Sequence, residues 1–262
     1  MTRSDKTEPG QTKPGTRAPE VPTAAAEGTL PAGAKAHTPA PAAAAADVAD
    51  FVRRLKELGP VAAVGRGRLV FAMDATMSRQ PTWDMALALQ ADMFHAVKAV
   101  GGLDVQLVYF RGAGECRASG WVSDPDALAR LMAHVTCAGG YTQIGKVLSH
   151  ARGEAGRKPI NALVYVGDCM EEAIDELAGR AGELALLGVP VFLFQEGPDA
   201  NADRAFREIA RLTKGAYCRF DAGSAAQLKE LLAAVAVYAA GGKKALAALS
   251  GRSARQLLTQ LK

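Results

Sequence analysis

Leu69-Val-Phe-Ala-Met-Asp-Ala-Thr-Met-Ser78 is an apolar run that stops on a carboxylate and then offers two hydroxyls at alternate positions. With no polar residue before Asp74, it reads as a strand buried on both faces, the pattern of a parallel sheet covered by helices. Ligands of such sheets gather at the carboxyl ends of the strands. Ala162-Leu-Val-Tyr-Val-Gly-Asp168 repeats the pattern, and Ala138-Gly-Gly-Tyr-Thr142 offers a further hydroxyl after a glycine turn. Three loops therefore carry hard oxygen ligands toward one edge.

Outward from this stretch, strands are expected at 104–110, 115–121, 160–166, 189–194 and 216–220. Helical spacing falls at 81–100, 126–135, 143–152, 174–187, 201–213 and 224–240. Strands alternating with helices of this length define an α/β class: a doubly wound, Rossmann-like three-layer domain with a central, mostly parallel six-stranded sheet over residues 47–241. A lead-in helix starts at Asp47 and stops at Gly59-Pro60. Residues 1–46 hold seven of the thirteen prolines and no aromatic residue. Such a segment buries too little apolar surface to offset its ordering entropy, and we expect a disordered Pro/Ala-rich tail.

The net charge of +4 lies outside the central part, where residues 51–242 carry 21 basic and 21 acidic side chains. Nothing in the domain itself points to nucleic acid. Residues 242–262 are basic, with five Lys or Arg and no acid. Leu246, Leu249, Leu257, Leu258 and Leu261 suit a short helix docking on an acidic partner, and a frayed solubilising end is the plainer alternative. The four cysteines lack CxxC spacing, and no stretch is apolar enough to span a bilayer, so a cytoplasmic protein with free thiols is expected.

These residues resemble the von Willebrand factor A domains, in the form that bacterial intracellular members take. Asp74-Ala-Thr76-Met-Ser78 is similar to the family's D-x-S-x-S loop, with Thr in place of the first Ser. Thr142-Gln-Ile-Gly145-Lys-Val-Leu148 resembles its T-x-x-G-x-x-L segment, and Val166-Gly-Asp168 its third loop, with Cys169 where Gly is usual. The resemblance implies a metal-ion-dependent adhesion site in which Asp74, Thr76, Ser78, Thr142 and Asp168 surround Mg2+ or Mn2+. It also implies an adaptor that grips an Asp or Glu of a protein partner through that metal, with partners in ATP-driven complexes. A small hard dication suits such a set, since it takes about six oxygen ligands.

Two other readings stand beside this one. Asp74, Ser78 and Thr142 could simply cap helices. Alternatively, Asp74, Lys158 and Gly167-Asp168-Cys-Met-Glu171-Glu172 imitate a haloacid dehalogenase-like phosphohydrolase with Asp74 as nucleophile. That chemistry needs a carboxylic general acid at position 76, where this chain has Thr. We therefore expect a binding module with no catalytic residue rather than an enzyme.

Overall fold

The computed structural model describes residues 66–80, 83, 84, 96, 102–220 and 225–261. The tail at 1–46, the lead-in helix and most of the helix expected after Pro81 lie outside the described residues. Six strands form one sheet: β1 (Gly67–Asp74), β2 (Leu103–Arg111), β3 (Glu115–Val122), β4 (Ala162–Gly167), β5 (Val191–Glu196) and β6 (Ala216–Phe220). The order is β3-β2-β1-β4-β5-β6, and only the edge strand β3 runs antiparallel. The fold class is as the sequence predicts.

All eight residues of β1 are buried, the consequence of a central strand covered on both faces. Alternate side chains divide between two cores. Leu69, Phe71 and Met73 join Val164, Val166, Phe192 and Phe194 on one face. Val70 and Ala72 join Leu163, Tyr165, Val191 and Leu193 on the other. Helices α1 (Pro125–Ala133), α2 (Ile144–Arg157), α3 (Ile174–Leu186) and α4 (Ala200–Thr213) supply the covering layers. Asp124 caps α1 by accepting from Ala127 N at 3.1 Å, and Asp199 caps α4 by accepting from Ala202 N at 2.6 Å.

The chain leaves β1 toward β2 and β3, then crosses back to β4 on the other side of β1. This reversal opens a crevice between the carboxyl ends of β1 and β4. Asp74 ends one of these strands, and Asp168 follows the other.

The C-terminal segment departs from expectation. Helix α5 (Ala225–Ala247) runs past Gly241-Gly242 with a kink at Gly242, whose φ of 68° is open to glycine at little cost. Helix α6 (Arg252–Gln260) then turns back at 92°. Leu246, Leu249, Leu257 and Leu261 are 0, 3, 0 and 8% exposed, within the core that Leu69 and Phe71 share. The leucines expected to dock on a partner therefore dock on this domain. No single described helix is long and apolar enough to cross a membrane.

Helix α6 also covers the edge of the sheet. The Gln260 side chain accepts from Tyr217 N at 2.7 Å and donates to Tyr217 O at 2.9 Å, as a neighbouring strand residue would. A sheet edge so occupied resists pairing with another chain. Gln260→Ala is expected to cost about 1–2 kcal/mol, because both backbone groups lose their partner. Urea denaturation and faster exchange of the Tyr217 amide would register it.

Candidate metal centre

The first loop is built around Asp74, which is fully buried. Its Oδ1 accepts from Thr76 N at 2.8 Å, a local turn that aims the loop, while its Oδ2 has no partner. The Thr76 and Ser78 hydroxyl oxygens lie 3.2 Å apart. A 3-10 turn over Met77–Arg79 follows, and its N-cap Thr76 makes no side-chain capping bond. Burial pushes the Asp74 pKa up to about 6, and the Asp168 charge adds to the rise against hydrogen bonds from Thr76.

Beyond β4, ligand atoms of Asp74, Asp168 and Cys169 lie within 4.8 Å of one another. The Cys169 thiol is pushed up to about 12, first by burial and then by the Asp168 and Asp74 charges. Without a metal this favours the protonated thiol, and the carboxylates and hydroxyls of the centre offer hard oxygen.

The second loop is stitched to both others. Ala138 N donates to Ala75 O at 3.0 Å. Thr142 N donates to Glu171 Oε2 at 2.9 Å, and the Thr142 hydroxyl accepts from Glu171 N at 3.0 Å. A Cβ at Gly140 would meet Gly112 O at 2.2 Å, so this turn requires glycine. Glu172 accepts from Ile144 N at 2.6 Å and Gly145 N at 2.8 Å, capping α2, whose own N-cap Gln143 makes no side-chain capping bond. A carboxylate there meets free N–H groups and the positive end of the helix dipole. Glu172 thus caps the helix that precedes it in the chain, while Glu171 holds the Thr142 backbone.

Five buried side-chain polar atoms among the described residues lack a hydrogen-bond partner: Asp74 Oδ2, Asp168 Oδ1, Arg79 Nε and Nη2, and the Tyr165 hydroxyl. All belong to this one site. Arg79 is fully buried and lies within electrostatic reach of Asp74, Asp168 and Tyr165, but among the described residues its ion pair is with Glu196 at the end of β5. Sequence reasoning missed Arg79, Tyr165 and Glu196. Orphaned buried polar atoms are costly, and two orphaned carboxylate oxygens facing one crevice fit a hard dication.

The phosphohydrolase alternative loses its lysine. Lys158 O accepts from Arg68 Nη1 at 2.7 Å, beside the second residue of β1. Lys158 thus lies at the amino edge of the sheet, and the length of β4, about 20 Å at 3.3 Å per residue, separates it from Asp168.

A doubly wound sheet with paired carboxylates at its switch point defines the class. No family model matches this sequence, and no curated protein aligns with it. Among solved structures, the fold is that of von Willebrand A domains. A von Willebrand factor type A protein from Catenulispora acidiphila aligns with 64% of this chain and 42% of its own, at 19% identity and a TM-score of 0.53. An aerotolerance-related membrane protein from Bacteroides fragilis aligns over 64% of this chain and 96% of its own, at 17% identity and a TM-score of 0.50. Proximal thread matrix protein 1 from mussel byssus, with zinc in its metal-ion-dependent adhesion site, aligns over 64% and 45%, at 17% identity and a TM-score of 0.52. The chain thus spans less than half the length of the first and third of these proteins.

Proposed function

We propose that this chain is a metal-dependent protein-binding module in which Asp74, Thr76, Ser78, Thr142 and Asp168 hold one divalent cation, Mg2+ or Mn2+. The convergence of orphaned carboxylate oxygens from β1 and β4 carries the reading. The von Willebrand A fold, with a metal in one structural neighbour, supports it. Bound there, the ion would supply an open electrophilic position for a carboxylate. The residues of the chain do the rest. Asp74 and Asp168 bring two negative charges, and the hydroxyls of Thr76, Ser78 and Thr142 bring oxygen without more charge. A site so composed leaves the cation short of electrons and suits an Asp or Glu side chain presented by a partner. Thr142 is fixed by two bonds to Glu171, so the second and third loops move together.

The module is read as a binder rather than an enzyme, since position 76 offers a hydroxyl and Lys158 lies at the opposite edge. We place it in the cytoplasm, a reading that the four free cysteines support.

Titration calorimetry with Mg2+ and Mn2+ tests the assignment. The wild type is expected to bind one ion in the millimolar range or tighter, Asp74→Ala to lose binding, and Thr142→Ala to bind about tenfold more weakly, the loss of one neutral ligand. A wild type that binds neither ion, or Asp74→Ala protein that binds as well as wild type, would sink the assignment.

A further inference from the structure

The inference rests on the metal-binding reading above and concerns Cys169, which that reading leaves unused. Its Sγ and a carboxylate oxygen from each of Asp74 and Asp168 lie within 4.8 Å of one another. Zinc holds oxygen at about 2.1 Å and sulfur at about 2.3 Å, so an oxygen and a sulfur on one zinc stand at most about 4.4 Å apart. Little movement therefore gathers the three atoms about one ion. Independent of that spacing, the site holds polar atoms that lack a partner. Asp74 is fully buried, yet its Oδ2 has no hydrogen-bond partner, and the buried Asp168 Oδ1 has none either. Asp168 and Cys169 are only partly buried, so an ion reaches the group from solvent.

Softness decides which ion takes the sulfur. Mg2+ and Mn2+ are hard and keep to carboxylates, hydroxyls and water, whereas Zn2+ is borderline and accepts thiolate and carboxylate together. We propose that Cys169 is a zinc-specific ligand of this centre, joining Asp74 and Asp168 around Zn2+ and standing aside for Mg2+ and Mn2+. A thiol that ligates a dication gives up its proton to the solvent, so protonation in the absence of metal does not bar the bond. The hard ions keep the open position described above, because they leave the sulfur out. Zinc displaces them through a bond that they do not make, and the residue at position 169 thereby sets which ion the centre holds.

Calorimetry with Zn2+, Mg2+ and Mn2+ on wild type, C169A, C169S and D74A tests the ligand. Wild type should bind zinc, and C169A and C169S should bind it at least about tenfold more weakly while keeping their Mg2+ and Mn2+ affinities within about threefold. D74A should lose zinc as well, which ties the thiol to the same centre. Wild type that takes the hard ions but not zinc, or zinc affinity unchanged in C169A or D74A, overturns the ligand and leaves the hard-ion site standing. An equal loss of all three ions in C169A marks a packing role and overturns the ligand too. Zinc bound through Cys169 with neither hard ion bound keeps the ligand and removes Mg2+ and Mn2+ from the reading above. Wild type that binds none of the three overturns the metal centre itself. Co2+ in place of zinc gives a readout that packing does not move, because a thiolate bound to Co2+ absorbs strongly in the near ultraviolet. Wild type and C137S should show this band, and C169S should not. No band in wild type, or a band that C169S keeps, overturns the inference.

Discussion

At about pH 7.5 and without divalent metal, Asp74→Asn is expected to make the protein about 3 kcal/mol more stable than wild type, since one pKa unit is worth about 1.4 kcal/mol. The sign follows from burial. The folded state raises the Asp74 pKa from 3.8 to about 6, so between those values the folded chain holds a proton that the unfolded chain has released. Stability from this group is complete below the unfolded value and is lost as pH rises through about 6. Wild type therefore bears the full cost of a buried charge at pH 7.5, whereas Asn bears none and still accepts from Thr76 N. For a domain of this size, the gain is about 6–12 °C in thermal midpoint. It should vanish toward pH 4, and in wild type saturating metal should recover it. A variant no more stable than wild type at pH 7.5 would contradict the burial of an unbalanced carboxylate.

Leu257→Ala is expected to cost about 2–5 kcal/mol, and Leu257→Asp more, enough to unfold a marginal domain. Leu257 is fully buried in the core shared with β1, and an Asp there would leave a charge with no partner. If residues 243–261 were a solvated tail, both substitutions would change stability by less than about 0.5 kcal/mol, as surface changes do. Urea midpoints separate the two cases.

These results bear on what the sequence could convey. The uninterrupted apolar run from Leu69 to Met73 marks a doubly buried strand, and a carboxylate at its end marks the ligand edge. Both features are local, and the structure has them where the sequence puts them. The C-terminal leucines were legible as an amphipathic stripe, but a stripe does not say which surface it meets. Gly241-Gly242 looked like an ending, yet Gly242 only bends α5 so that Leu246 and Leu249 reach the core. The Glu172 cap on α2 joins residues 28 apart, and nothing in spacing announces it. Arg79 was invisible for a related reason. A lone Arg after a polar loop has the signature of a surface residue, and the Glu196 carboxylate that pairs with it lies 117 residues away in sequence.

The central claim is that one dication belongs between the ends of β1 and β4. A crystal grown with Mn2+ and measured for anomalous scattering tests it most directly. The account predicts one strong peak among the Asp74 and Asp168 carboxylates and the Thr76, Ser78 and Thr142 hydroxyls, with Arg79 on Glu196. A map with no peak there, and with the Arg79 guanidinium or water lying between the two carboxylates despite excess Mn2+, would contradict it.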